Sequence, residues 1–162
     1  MIMISYKPPR EGSAHIVLPL ALILCGLTAM LGAGYQKSFA PTILQTVGLV
    51  FLAASVIVIN RYSTATYLYT LDEETPGLLC VHKIVGKKKT TPITADMSTA
   101  VGVRILTPED HGRTPGARRV NMCLNLFPRK RMAILFRRGE DLTELVIETD
   151  DIFFAEIESR IE

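Results

Sequence analysis

Residues 16–34 are 19 in a row without a charged side chain, and residues 38–60 are a second such run of 23, separated only by a short polar stretch that carries Lys37. At about 1.5 Å rise per residue the first run reaches roughly 29 Å as a helix, the hydrocarbon thickness of a bilayer. The second, with Leu49-Val50-Phe51-Leu52 and Val56-Ile57-Val58-Ile59 at its heart, is long enough to cross back with some tilt. Residues 16–60 therefore read as a transmembrane hairpin with spans at 16–34 and 40–60. Residues 1–15 are left as a tail and residues 61–162 as one small domain.

The tail has the outline of a signal-peptide n-region, but three features argue against cleavage. The apolar run exceeds the usual length of about 7–15 residues, a second span follows at once, and the candidate site Ser38-Phe39-Ala40 is followed by Pro41. Pro8-Pro9 and Gly12 discourage regular structure in the tail. Lys7, Arg10 and Arg61 flank the hairpin on one side and Lys37 on the other, a bias that places both termini in the cytoplasm of a multi-pass cell-membrane protein. In the first span Ala21, Cys25, Ala29 and Ala33 recur every four residues, a small-residue stripe suited to close approach by Gly48, with Ala54 and Ser55, on the second. Pro19 stands near the start of its span, where a missing N–H matters least. Neither span carries an ionisable residue that would serve an ion or proton path, so the hairpin reads as an anchor.

After Asn60 the pattern changes to alternation, and seven short strands are expected at 66–71, 78–85, 90–94, 99–106, 119–127, 132–137 and 142–148. The turns between them hold Gly, Pro and charge, as in Asp72-Glu73-Glu74-Thr75-Pro76-Gly77 and Gly86-Lys87-Lys88-Lys89. Val120, Met122, Leu124 and Leu126 share one face, as do Val101, Val103 and Ile105, and both faces should meet a common core. Thr149 or Asp150 can cap a closing amphipathic helix whose stripe is Phe153, Ile157 and Ile161.

The net charge of +2 hides an asymmetry: residues 61–138 carry 14 basic and 6 acidic side chains, residues 139–162 carry 1 and 9. A bipolar domain does not offer the one-signed stripe that nucleic acid requires. Three cysteines without close pair spacing give no disulfide framework. Cys80, His82, His111 and Cys123 are the residue types of a zinc site, but the second pair is split by 11 residues, so no metal and no cofactor is expected. There is no G-x-S-x-G and no phosphate-cradling loop, and the acid pairs Glu73/Glu74, Glu109/Asp110, Glu140/Asp141 and Asp150/Asp151 sit in turns or at a helix start, which argues against an enzyme.

The strand opening at Thr66-Tyr67-Leu68-Tyr69-Thr70-Leu71 and the last strand running through Glu144-Leu145-Val146-Ile147-Glu148 into Asp150-Asp151-Ile152-Phe153-Phe154 resemble the corresponding elements of bacterial membrane-anchored PH-like domain proteins. The resemblance covers about 100 residues and implies a mainly-β PH-like barrel or sandwich of about seven strands, closed by a C-terminal helix, behind a two-helix hairpin. It also implies a binding or scaffolding module. Lipid-binding members of that fold use basic residues at the first turn, where this chain has Asp72-Glu73-Glu74, so phosphoinositide recognition there is not expected.

Two functions remain open on these residues. One is a non-enzymatic interaction module at the cytoplasmic membrane face that binds a protein partner or a second copy, with Arg129, Lys130 and Arg131 as the contact. The other is a sensor of anionic lipid headgroups through basic turns. In an up-and-down meander Lys87, Lys88 and Lys89 return toward the membrane while the acidic first turn points away.

Overall fold

The structure, a computed structural model, describes residues 3–35, 40–72, 77–107, 110 and 114–161. Lys37, Glu73, Glu74, Glu109 and His111 lie outside them. The chain divides into two units: a helical unit, Gly12–Thr64, and a β domain made of Met1–Glu11 together with Ala65–Glu162.

The helical unit consists of α1 (Ala14–Tyr35) and α2 (Ala40–Val58), which continues as a π-helical turn over Ile59–Ser63. Both helices are long and apolar enough to cross a membrane. Pro19, Gly26 and Ala33 are buried on α1, and Gly48 and Ser55 on α2. At Gly26 a Cβ would stand 2.9 Å from Leu52 Cγ and 3.0 Å from the Gly48 carbonyl oxygen, and at Gly48 it would stand 2.9 Å from the Gly26 oxygen. The crossing is therefore Gly26 on Gly48. Of the expected stripe, Ala33 is buried and Ala29 half-buried, but Ala21 and Cys25 are exposed. The reason is angular: a four-residue spacing drifts about 40° per step around a helix, so Ala21 lies roughly 120° from Ala33, whereas a seven-residue spacing drifts only about 20°.

Pro19 lies inside α1 and has no N–H to offer the His15 carbonyl. The Ser63 hydroxyl donates to that oxygen at 2.6 Å, so the turn that ends the second helix satisfies the group that proline leaves open.

The β domain has two four-stranded sheets. The first has the order β1-β2-β3-β4, with β1 Met3–Tyr6, β2 Ala65–Asp72, β3 Leu78–Val85 and β4 Lys88–Asp96, all antiparallel. The second has the order β5-β7-β8-β6, from β5 Ala100–Leu106, β6 Ala117–Asn121, β7 Arg131–Arg138 and β8 Asp141–Glu148. The sheets are not closed into a barrel by strand pairing; they face one another as an open sandwich. Tyr67, Tyr69, Leu71, Leu79 and Val81 from the first sheet meet Met132, Ile134, Phe136, Leu145 and Ile147 from the second. Phe153 and Ile157 of α3 (Asp151–Ser159) complete this core. Asp150 caps α3 by accepting the Phe153 N–H at 2.7 Å.

The sequence expectations differ from this fold at four places. The N-terminal tail, read as irregular, holds β1, whose Tyr6 pairs with Tyr69. The hairpin is thus inserted in the connection between two adjacent strands. The strand expected at 119–127 ends at Asn121, because the Asn121 side chain accepts the Cys123 N–H at 3.0 Å and turns the chain. Alternation survives without pairing, since Leu124 enters the main core while Cys123 joins Leu106, Ala133 and Val146 in a second cluster. Finally, the expected meander is broken by β6, which pairs in parallel with β8. Val103 packs on the core as expected, but Val101 and Ile105 remain 48% and 40% exposed because β5 is an outer strand.

Candidate functional site

Residues 122–130 leave β6, cross the end of β8 and enter β7, and the chain's first segment is bound to this crossover. Asn125, 6% exposed, makes four bonds there. Its backbone N–H and its amide donate to the Glu148 carboxylate at 2.5 and 2.7 Å; the amide also donates to the Pro9 carbonyl at 2.8 Å, and its Oδ1 accepts the Glu11 N–H at 2.8 Å. The Glu11 carboxylate accepts the Arg129 N–H at 3.1 Å, and Arg10 donates to the Ala65 carbonyl at 3.2 Å. Glu11 and Ala65 are the two residues that flank the helical unit. Within the β domain, the residues that precede and follow the helical unit are therefore held at one corner.

Burial shapes the ionisable groups at this corner. It raises the Glu148 pKa, against the hydrogen bonds from Asn125 and Leu124 and with help from the Glu11 charge. Tyr6, stacked on Phe153 at 5.5 Å between ring centroids, is pushed up to about 12 by burial and then by Asp150, Glu148 and Glu11. The Tyr69 hydroxyl, also raised by burial, donates to the Met122 carbonyl at 2.8 Å.

The two basic clusters lie on this side of the domain, but in different states. The register pairs Ala65 with Val85 and Val85 with Lys88, across a tight turn in which Gly86 takes φ +58°. Lys87, Lys88 and Lys89 are exposed, on the same end of the first sheet as Ala65. Asp72, Leu78 and Asp96 mark the opposite end. In the second cluster, Lys130 pairs with Asp151 and Arg131 donates to the Thr107 carbonyl at 3.1 Å, so only Arg129 keeps an exposed guanidinium.

Glu144 forms a separate ionic centre on the second sheet. Its carboxylate, 1% exposed, is held by Arg119 at 2.6 Å, Arg104 at 2.9 Å and the Thr114 hydroxyl at 3.1 Å. Burial acts to raise its pKa, but these donors outweigh it and the net shift is downward. Cys80 and His82 lie on the face of the first sheet away from the core; the His82 ring nitrogens meet the Thr70 and Thr91 hydroxyls at 3.0 and 2.8 Å. Cys123 lies in the crossover between β6 and β7, in the second cluster.

At the far end of the sandwich a cavity of about 430 Å3 opens between β4 and the β7–β8 pair. Phe136 and Leu145 form its floor, with Ile93 and Ala95 on one wall and Arg138 and Asp96 among its polar residues. β4 is the last strand of its sheet, and its ladder is interrupted opposite His82, where Thr91 and Pro92 match one residue of β3.

Sequence reasoning did not single out Asn125, Glu148, Gly26 or Ser63. Only Pro19 carried a signal for one of them, since an interior proline requires a substitute donor. The chain matches no family model, no curated protein and no solved structure.

Proposed function

We propose that this chain is a two-span protein of the bacterial cell membrane, with both termini cytoplasmic, whose β domain is a PH-like, non-enzymatic interaction module for a protein partner or a second copy. The observation that carries the reading is the insertion of the hairpin between β1 and β2. Strands before and after it pair in one sheet, so a hairpin that crosses the bilayer must come back to the side it left. Two attachments also restrict the domain more than one would. The ionisable groups support binding rather than catalysis, because Glu144, Glu148, Asp150 and His82 are all engaged in holding the fold. The free edge of β4, beside the cavity floored by Phe136 and Leu145, suits an extended segment that adds as a further strand.

A second reading, a sensor of anionic headgroups, draws on the register that sets Lys87, Lys88 and Lys89 at the Ala65 end. Each lysine gains about 1 kcal/mol near an anionic leaflet. Photo-crosslinkers placed at positions 94, 88 and 96 of the full chain in its membrane separate the two. The module reading expects a discrete protein adduct, or a dimer, from position 94. The lipid reading expects lipid adducts from 88 and none from 96. Lipid adducts from 96 alone would refute the orientation.

A further inference from the structure

Apolar side chains left in water are unevenly distributed over the β domain. Phe127 is 76% exposed and Ile152 is 81% exposed, the two highest values among the described large hydrophobic residues of that domain. Phe127 lies in the crossover and Ile152 in the first turn of α3. The two segments are joined, because Lys130 pairs with Asp151 and its carbonyl accepts the Thr149 N–H at 3.4 Å. The Arg129 side chain beside them is 88% exposed, with Glu11 3.9 Å from its Nε. The same crossover binds Pro9 and Glu11, and Gly12 begins the helical unit. An aromatic ring, an aliphatic side chain and a guanidinium therefore lie within a few residues of the point where the chain leaves the domain for α1.

We propose that Phe127 and Ile152, with Arg129, form a docking patch that inserts into the headgroup region of the leaflet next to the domain. The partner is a lipid surface. A phenyl ring and an aliphatic side chain reach the boundary between headgroups and acyl chains, and a guanidinium meets lipid phosphate. The attachment at Glu11 makes this encounter intramolecular, so a patch too weak to bind membranes alone is occupied when the hairpin is in place. The proposal rests on the reading that α1 and α2 span the bilayer, and it gives Arg129 a membrane role in place of the protein contact expected from the sequence.

The chain has no tryptophan, so one introduced indole reports its own surroundings. F127W, I152W, V101W and L24W are each prepared as full chains in nanodiscs of phosphatidylethanolamine and phosphatidylglycerol, with lipids brominated high or low in the acyl chain. F127W or I152W should emit to the blue of V101W and lose most of its emission to the shallow bromines. V101W, on the outer strand β5 and 48% exposed, should be unquenched. L24W, on the exposed side of α1, should be quenched by the deep bromines. Quenching of neither F127W nor I152W, while L24W is quenched, overturns the patch and leaves the spanning reading intact. Equal quenching of V101W also overturns it, as general adsorption. An unquenched L24W refutes the spanning reading and the patch together.

Discussion

Replacing Phe153 with aspartate is expected to unfold the β domain outright. The ring is 2% exposed, stacks on Tyr6 at 5.5 Å and meets Tyr69 at 6.4 Å, where α3 closes the space between the sheets. Truncating a buried phenylalanine costs about 3–5 kcal/mol before any charge is added. The new carboxylate would sit among Tyr6, Tyr69 and the acids Glu148 and Asp150, an environment that already raises the pKa of Tyr6 and of Glu148. A small domain has only about 5–15 kcal/mol in total. The F153D protein should show no cooperative thermal transition in its β-sheet circular-dichroism signal. F153L should keep the transition at a lower temperature, and I152D, altering a side chain that is 81% exposed, should melt like the parent. An F153D protein with the parent transition would mean that α3 does not close the core.

Loss of the first eleven residues should be almost as damaging. It removes the ladder from Met3↔Asp72 to Tyr6↔Tyr69, the Tyr6 ring, and the Pro9 and Glu11 partners of Asn125. At about 1 kcal/mol per hydrogen bond and about 0.5–1.5 kcal/mol for the aromatic pair, the loss is on the order of 5 kcal/mol. Two soluble chains test this: residues 65–162 alone, and residues 1–11 joined to 65–162 by a Gly/Ser linker in place of 12–64. The joined chain should be β-rich and melt cooperatively, while the shorter one should melt far lower or not at all. Equal melting of the two would contradict the assignment of β1 to the domain.

The sequence made the apolar helices and most strands legible because each is specified locally. An uncharged run of bilayer length states its own helix, and β3, expected at 78–85, occupies Leu78–Val85. The Asp150 cap and the Phe153 and Ile157 stripe of α3 were readable for the same reason, since three- and four-residue spacings decide them. What remained hidden depends on partners distant in the chain. β1 has only four residues and is recognisable only beside β2, across the whole hairpin. Asn125 is separated from Pro9 by 116 residues, and nothing near it in the chain distinguishes it from the turn-forming Asn121. The alternation of 119–127 was real, but side chains took backbone N–H groups that a strand would have given to a neighbour, Asn121 that of Cys123 and Glu148 that of Asn125. In α1 the small residues at four-residue spacing were conspicuous, and the drift of that spacing around the helix is what moved the crossing to Gly26.

In the proposed topology a hairpin crossing the membrane twice is inserted into one domain that stays on a single side. Single cysteines placed at positions 7, 37 and 88, in a chain whose Cys25, Cys80 and Cys123 have been replaced, test it by labelling with a membrane-impermeant maleimide in right-side-out and inverted vesicles. Positions 7 and 88 should label only in inverted vesicles and position 37 only in right-side-out ones. Labelling of 37 and 88 from the same side, or of 7 and 88 from opposite sides, would contradict it.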